Sequence, residues 1–185
     1  QCCEAGIKVT ALPGAVACVT ALIISGLPTR RFCFEAFLPT DKKEHQRVLA
    51  ELQNETRTIV LYEAPHHLLR TLTELYEALG DRKASICREL TKKYETAFRT
   101  TLSQAVAYYT ENEPKGECVI VIEGKSVQEI EAEDQARWQQ MSLEEHMEHY
   151  ESQGNSRKEA MKLVAKDRGV SKRDVYQALL EAEEA

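Results

Sequence analysis

The sequence predicts an α/β fold in which a mixed five-stranded sheet carries flanking helices, followed by a small C-terminal helical region. Between residues 30 and 125, short apolar, β-branched or aromatic runs alternate with amphipathic helical patterns, as in layered α/β domains. After residue 140 the pattern becomes helical throughout, with repeated helix-start motifs. No apolar run reaches the roughly 18 residues that a membrane-spanning helix needs, so we expect no contact with a membrane.

The first predicted elements are a strand, a tight turn and a helix. An apolar strand pattern over 6–12 leads into Pro13-Gly14, where proline fixes φ and glycine tolerates positive φ. The helix that follows is apolar almost all round, which predicts burial on most sides. Gly26-Leu27-Pro28 ends it.

Residues 30–125 contain the five strands of the predicted sheet. Pro65 is placed at the first position of a helix, and Ser103 is a candidate N-cap. The fourth strand follows the third with little room for a crossover helix, which predicts an antiparallel pair. The predicted strands cover 31–39, 57–63, 83–90, 96–102 and 116–124, and the helices cover 42–55, 65–80 and 103–113.

The C-terminal part is predicted to begin with a polar, acidic linker over 126–140 and to continue with helices over 142–154, 156–169 and 171–184. Ser-x-x-Glu capping boxes start the first two helices. The Gly-containing turn between the last two resembles a helix-turn-helix. Two interpretations stay open, a nucleic-acid contact and a structural hairpin with a packing or partner role, and the acidic content favours the second.

The charge of the chain is unevenly distributed. Residues 1–125 balance 16 basic against 16 acidic side chains, whereas residues 126–185 carry 8 basic and 14 acidic ones, so the whole net charge of −6 lies in the tail. This argues against a simple basic nucleic-acid binder, although it leaves room for a local basic patch. Six scattered cysteines without a CxxC pair predict buried, reduced thiols in a cytosolic protein and no zinc site.

Two polar segments at predicted strand ends are candidates for chemistry, because sites in α/β folds form where strands end. The stretch 87–95 concentrates Arg88, Glu89 and Lys92, and an ion-paired solvated loop is the alternative interpretation. Glu63-Ala64-Pro65-His66-His67 ends another strand. Consecutive histidines on a helix point about 100° apart, so they cannot both bind one metal, and at most one faces a cleft.

Arg30 and Arg31 precede the first strand of the sheet. Arginine forks suit phosphate and carboxylate groups, and a solvated strand start is the alternative interpretation. The chain contains no GxGxxG, no P-loop and no GxSxG motif.

Four segments together, 9–39, LYEAPHHLLRTL (61–72), RELTKKYE (88–95) and KGECVIVIEG (115–124), resemble the bacterial small-subunit (16S) ribosomal RNA cytidine 2′-O-methyltransferases. These belong to the tetrapyrrole-methylase-like class of S-adenosylmethionine enzymes. The resemblance implies a cytoplasmic homodimer with two α/β domains and the cofactor in the cleft between them. On this resemblance, residues 1–29 end the N-terminal domain and 30–125 form the second. The chain lacks an initiator Met, so a fragment that is inactive alone is expected.

The resemblance also implies roles for individual residues. Ala15 and Val16 stand where Pro-Ser is frequent, Ala36 stands where glycine is usual, and His67 replaces an arginine. A porphyrinoid C-methyltransferase and a non-catalytic α/β module with a helical adaptor tail are the alternatives. The residues expected to be catalytic are Glu63, Arg88, Glu89 and Lys92, those at the cofactor are Pro13, Gly14, Ala15, Val16, Tyr62, Glu117 and Cys118, and those at the RNA are His66, Arg30 and Arg31.

Overall fold

The computed structural model describes residues 1–2, 4–11 and 13–183, and it divides the chain into two compact units, Gln1–Lys125 and Ser126–Ala185. The first unit is built on a mixed five-stranded sheet with flanking helices, which confirms the predicted fold class. None of the helices in the described ranges is long and apolar enough to cross a membrane. In chain order the first unit contains α1 (Ala17–Ser25), β1 (Phe32–Ala36), α2 (Lys42–Leu52), β2 (Thr58–Glu63), α3 (Leu68–Leu79), β3 (Lys83–Arg88), β4 (Thr96–Thr101), α4 (Leu102–Glu111) and β5 (Cys118–Ile122).

The strand order across the sheet is β1-β2-β5-β3-β4. Strands β1 and β2 are parallel, whereas β5 runs antiparallel to both β2 and β3. The predicted antiparallel pairing of β3 with β4 is confirmed. Strands β1, β2 and β3 therefore all end at the same edge of the sheet, which we call the carboxyl edge.

Two apolar clusters cover the two faces of this sheet. On one face α2, α3 and α4 bury Leu68, Leu72 and other side chains against alternate strand residues such as Ile86 and Ile120. On the other face α1 packs, with Ala21 among the side chains that it buries against the strands, and Leu27 and Leu90 pack beside it. Continuous apolar runs such as Cys118–Ile122, buried at every position, are what a strand covered on both faces requires.

The N-terminal strand predicted over 6–12 is wrong for the residues that the structure describes. Residues 7–11 have no regular secondary structure and are exposed, and Leu12 lies outside the described residues. No strand of the described sheet pairs with them, and an extended segment without a ladder leaves its backbone groups to water. Because α1 packs on the sheet of residues 30–125, the helix of the predicted 1–29 segment belongs to the first compact unit.

Two predicted boundaries also need correction. Ser103 is not the N-cap of α4, because the side chain of Thr101 takes that position. Ser103 instead donates its backbone N–H and its hydroxyl to the carboxylate of Asp81, at 2.9 and 2.8 Å. The helix expected to start at Pro65 begins with a 3-10 turn, Pro65–His67, before α3 starts.

The second unit consists of α5 (Val127–Gln140), α6 (Leu143–Glu151), α7 (Arg157–Asp167) and α8 (Lys172–Glu183). The linker predicted over 126–140 is wrong, since α5 fills it and starts with a capping box of Ser126 and Glu129. Its glutamate, glutamine and alanine residues are strong helix formers even without an apolar stripe. The capping boxes predicted at Ser142 and Ser156 are confirmed. A small core holds this unit together, formed by Met147, Ala160, Val164, Ala165, Val175 and Leu179.

Candidate functional site

Three polar or reactive side chains stand in one row at the carboxyl edge. Glu63 of β2 and Arg88 of β3 both pair with Cys118, the first residue of β5, which lies between them. Residues in register on neighbouring strands project from the same face, so all three point to the side covered by α3 and α4. With strands about 4.8 Å apart, the Cα atoms of Glu63 and Arg88 are roughly 10 Å from each other.

The carboxylate of Glu63 is held in place by two donors. Its Oε1 accepts a hydrogen bond from the backbone N–H of Ala64 at 2.7 Å, and its Oε2 accepts one from the hydroxyl of Thr71 at 2.6 Å. Only 9% of Glu63 is exposed. A buried carboxylate fixed through both oxygens has a defined orientation, which a group that must position a substrate needs.

Arg88 contributes an unpaired donor to the same row. Its Nε is buried and has no hydrogen-bond partner among the residues that the structure describes. A buried donor without a partner costs free energy, and the guanidinium of Arg88 also interacts with the hydroxyl of Tyr109, which opposes the rise that burial causes in the pKa of that tyrosine. Burial raises the pKa of the Cys118 thiol to about 11, with the charge of Arg88 opposing that rise, so Cys118 is uncharged at neutral pH.

Glu89, Lys92 and Glu117 form an ion-paired cluster beside this row. The Nζ of Lys92 lies 3.2 Å from Oε1 of Glu89 and 3.1 Å from Oε2 of Glu117. The same Glu89 oxygen accepts the backbone N–H of Glu117 at 3.0 Å. This hydrogen bond, followed by that from Lys92, lowers the pKa of Glu89, and the hydrogen bonds to both glutamates raise the pKa of Lys92. The ion pairs that the alternative interpretation of residues 87–95 expected are therefore present in this loop.

The backbone of this loop adopts a strained conformation at two non-glycine residues. Glu89 has φ 50° and Thr91 has φ 63°, in the left-handed region that side chains other than glycine rarely enter. The N–H of Thr91 donates to Oε2 of Glu95 at 2.6 Å, which helps to hold the turn. Strain of this kind is concentrated at functional sites, where the surrounding structure compensates for it.

A groove of about 600 Å³ opens at the carboxyl edge between the ends of β1 and β2. Glu63 lines it, and so does His67, whereas His66 is not among its lining residues. The sequence favoured His66, so the structure places the other histidine of the pair at the groove. Lining residues that sequence reasoning missed are Phe37, Lys42, Arg70 and Thr71. They follow the ends of β1 and β2, which are parallel neighbours. Ligands in α/β folds bind beyond the carboxyl ends of such strands, so these residues could have been predicted from the sequence.

Of the predicted cofactor residues, 13–16 and Tyr62 lie on the opposite face of the sheet, whereas Cys118 faces the side of Glu63 and Glu117 belongs to the cluster with Glu89 and Lys92. Residues 13–16 form the exposed approach to α1, and Val16 is the N-cap of that helix without a side-chain hydrogen bond. The hydroxyl of Tyr62 accepts the backbone N–H of Cys18 in the first turn of α1 at 3.1 Å. Tyr62 directly precedes Glu63, so the start of α1 lies across the sheet from the Glu63 side chain, at the same edge.

Arg30 and Arg31 are not brought together with these residues. They precede β1, and the carbonyl of Arg31 accepts the N–H of Thr58, the first residue of β2, at 3.3 Å. Because β1 and β2 are parallel, both arginines lie at the edge opposite Glu63. The five steps from Thr58 to Glu63 correspond to about 17 Å.

Fixed polar side chains and a groove, gathered where the strands end, are typical of α/β proteins that bind ligands at this edge. A model of the tetrapyrrole (corrin/porphyrin) methylases matches residues 1–106, and the chain belongs to this family. The solved structure of the methyltransferase CobJ superimposes with a TM-score of 0.51 at 20% identity, covering 65% of this chain and 53% of that one. This likeness supports the fold alone.

Curated relatives carry a more particular name, ribosomal RNA small subunit methyltransferase I. The chain is 45% identical to that of Bacillus subtilis (strain 168), covering 95% of this chain and 60% of the relative. It is 47% identical to that of Halalkalibacterium halodurans, with coverages of 92% and 58%, and 44% identical to that of Synechocystis sp. (strain PCC 6803), with coverages of 98% and 64%. The chain thus spans 58% to 64% of the length of these relatives.

Proposed function

We propose that this protein is an S-adenosylmethionine-dependent methyltransferase that modifies the ribose 2′-hydroxyl of a cytidine in small-subunit ribosomal RNA. The names of the curated relatives support the reaction class and the RNA substrate. The structural observation that carries the proposal is the pair of Glu63 and Arg88, held on either side of Cys118 at the carboxyl edge. Glu63 also lines a groove large enough for a nucleotide-sized group.

The proposed cofactor site comprises residues 13–16 and Tyr62 on the α1 face of the carboxyl edge, together with Glu117 and Cys118, where β5 enters the sheet at the same edge. S-adenosylmethionine supplies a sulfonium methyl group that an oxygen nucleophile can attack. Ala15 and Val16 can offer only backbone groups, and the N–H groups of residues 14–16 donate to no other described residue. This fits binding through the main chain. Tyr62 fixes the first turn of α1 next to that segment.

On the substrate side, the residues of the row have to align a ribose hydroxyl with the methyl group. Alignment accounts for a large part of the rate of such a transfer. Glu63, oriented by Ala64 and Thr71, accepts a hydrogen bond from the ribose, and the partly exposed guanidinium of Arg88 donates to a ribose or phosphate oxygen. Glu89 and Lys92 act by bracing the strained loop. The cytidine must be presented from single-stranded or splayed RNA.

The test is a chimera in which this chain replaces the aligned 175 residues of the Bacillus subtilis relative. Purified chimera, labelled S-adenosylmethionine and undermethylated small subunits should give label in a cytidine whose 3′ linkage resists alkaline hydrolysis, because a 2′-O-methyl group blocks that cleavage. Methylation of a tetrapyrrole instead would support the porphyrinoid alternative. Failure of both the chain and the chimera to bind S-adenosylmethionine in calorimetry would support the non-catalytic module.

Two variants of the chimera test the assigned roles. Glu63→Gln keeps the shape of the side chain and removes its charge, and Lys92→Ala removes the brace. We expect each to lower the methylation rate at least tenfold, which corresponds to about 1.4 kcal/mol of transition-state stabilisation. Lys93→Ala is the matched control, because Lys93 lies over the Tyr94 ring outside the cluster. If Lys92→Ala and Lys93→Ala had equal methylation rates, the ion-paired cluster around Lys92 would have no role in the reaction.

The proposal includes a cytoplasmic homodimer. The α1 face of the sheet is covered by a single helix and leaves Phe32, Phe34, Val19 and Ile23 exposed. Such an apolar surface favours a protein–protein contact. Sedimentation equilibrium should give twice the chain mass of 21.0 kDa, and Ile23→Glu should return the monomer. A monomer at micromolar concentration would contradict the dimer without touching the methyltransferase proposal.

A further inference from the structure

The helical unit separates its charges into two halves. Residues 126–155, which include α5 and α6, carry 8 acidic side chains and a single basic one, Arg137. Residues 156–185, which include α7 and α8, carry 7 basic and 6 acidic side chains. The net acidity of this unit therefore comes from α5 and α6, and it conceals a basic region on the other two helices.

Three lysines form a stripe along α7. Lys158, Lys162 and Lys166 follow one another at intervals of four residues, are all exposed, and form no ion pair with any carboxylate of the described residues. Residues four apart are neighbours on one side of a helix, about 6 Å apart along the axis. Ala160 and Val164, which pack into the core of the unit, point to the other side. The stripe is therefore a line of positive charge facing solvent, with Glu159 the carboxylate of α7 on which the charge of Lys162 acts.

The start of α8 continues the basic region beyond a tight turn. Gly169, at φ 65°, allows α8 to begin five residues after α7 ends. Lys172 and Arg173 lie in the first turn of α8, and Tyr176 is 55% exposed one turn further along. Val175 and Leu179 face the core. Two packed helices with a glycine turn, whose second helix carries basic and aromatic side chains outward, have the arrangement of helix-turn-helix modules.

We propose that Lys158, Lys162, Lys166, Lys172 and Arg173 form a surface that binds the phosphate backbone of RNA, with Tyr176 stacking on an unpaired base. These residues together are named the α7–α8 basic surface. It lies outside the residues assigned to methyl transfer and would act as a second contact with the nucleic acid. The choice of RNA over DNA rests on the proposed function, whereas the choice of nucleic acid rests on the charges and on Tyr176.

A nucleic acid fits this surface better than an acidic protein or a membrane does. Lysines spaced along a straight helix match a linear polyanion, and phosphate contacts of this kind position a protein without reading sequence. An exposed aromatic ring beside them suits base stacking. A membrane-binding helix needs a wide apolar face next to its basic one, but the side of α7 away from its lysines is already buried in the core of the unit. The acidic half repels a polyanion and would restrict binding to one side.

The experiment measures fluorescence anisotropy of a labelled single-stranded RNA of about 20 nucleotides titrated with the intact chain at several salt concentrations. The variant Lys158→Gln/Lys162→Gln/Lys166→Gln removes the stripe and keeps good helix formers. Its matched control, Lys8→Gln/Lys43→Gln/Lys115→Gln, changes the net charge equally at three exposed lysines of the first unit. The fluorescence of Trp138 and the circular dichroism report whether the helical unit stays folded.

We expect the stripe variant to lose at least tenfold in affinity, and its salt slope to fall by about 2, since each phosphate contact on a single strand contributes about 0.7. The control should keep both values. Tyr176→Ala should weaken binding with an unchanged slope. Equal losses in the two triple variants, absence of RNA binding by the chain, or binding to anionic vesicles in place of RNA would overturn the proposal. A chimera that methylates rRNA without binding through the stripe would overturn it while leaving the proposed function standing.

Discussion

The carboxylate of Glu89 occupies the space in which a side chain at residue 116 would begin. A Cβ added to Gly116 would lie 2.2 Å from Oε1 and 2.4 Å from Cδ of Glu89. Gly116 also has φ 80°, so glycine is favoured there by conformation as well as by space. The same Glu89 oxygen accepts the N–H of Glu117 and contacts Lys92. Gly116 therefore leaves space for the carboxylate that holds the strained loop in place.

Gly116→Ala should therefore destabilise the first unit more than a comparable change elsewhere. The left-handed backbone alone costs an alanine about 1–2 kcal/mol. Displacing Glu89 breaks its hydrogen bonds to Lys92 and Glu117 and should add a further loss. Urea unfolding followed by circular dichroism measures the total loss in the free energy of unfolding. Gly26→Ala is the matched control, since Gly26 has left-handed backbone at φ 78° and a Cβ added there would meet only ordinary contacts at 3.6 Å. In a Glu89→Ala background the two glycine variants should become equal, and equal losses in the wild-type background would refute the steric part.

The hydroxyl of Tyr62 is expected to stabilise the start of α1. Tyr62→Phe leaves the N–H of Cys18 without its acceptor and should lower the free energy of unfolding by about 1 kcal/mol, the usual net contribution of such a bond. Tyr108→Phe is the control, because Tyr108 is an exposed ring that packs at a tilt against Phe98. Amide exchange at Cys18 should accelerate in the Tyr62 variant only. Equal stability of the two variants would show that water replaces the lost acceptor.

The sequence predicted the order of strands and helices in 30–125 well, because apolar periodicity reports burial directly. It could not predict that Glu63 and Arg88 flank Cys118. That arrangement depends on β5 entering the sheet between β2 and β3, a long-range pairing without a local pattern. The side to which each histidine turns was missed because Pro65–His67 is a 3-10 turn, whose residues are rotated about 120° apart instead of 100°.

Other errors could have been avoided from the sequence. Arg30 and Arg31 precede a strand whereas Glu63 ends one, so parallel strands place them at opposite edges. Residues 126–140 were predicted to be a linker from their polarity, although their Ser126-x-x-Glu129 motif marks a helix start as clearly as the two capping boxes that were recognised. The strand pattern at 6–12 was misleading because periodicity predicts a face and cannot supply the neighbouring strand.

Ala36 stands where the family resemblance implies glycine, and its φ of 53° gives the physical reason. It lies at an irregularity in the β1–β2 register, where the left-handed conformation favours glycine. Ala36→Gly should raise the free energy of unfolding by about 0.5–1 kcal/mol, since it removes about 1–2 kcal/mol of strain and adds a smaller entropic cost. Ala132→Gly, in the exposed interior of α5, should lower it by about 1 kcal/mol. If both variants lost the same free energy of unfolding, the inference that the backbone is strained at Ala36 would be wrong.

His146 is the buried centre of the helical unit. Its Nε2 lies 3.3 Å from Oδ2 of Asp167, and its Nδ1 accepts the Nε–H of Arg168 at 3.1 Å. The Tyr150 hydroxyl donates to the same Asp167 oxygen, and the indole of Trp138 stacks on the imidazole with centroids 4.2 Å apart. Burial, together with the charge of Arg168, lowers the pKa of His146, and Asp167 opposes this only in part.

The stability of the helical unit should therefore decrease on acidification. The unfolded chain takes up a proton at His146 below its ordinary pKa of about 6.5, whereas the folded chain does not, so stability is complete above that pH and is lost as the pH falls. The slope should approach about 1.4 kcal/mol per pH unit between the two pKa values. Trp138, the only tryptophan, reports the transition selectively by fluorescence in urea titrations at pH 7.5 and 5.5. His146→Gln should flatten this dependence, and His149→Gln, at the exposed neighbour of the same indole, should preserve it. If His149→Gln flattened the pH dependence and His146→Gln preserved it, the assignment of the pH dependence to His146 would be wrong.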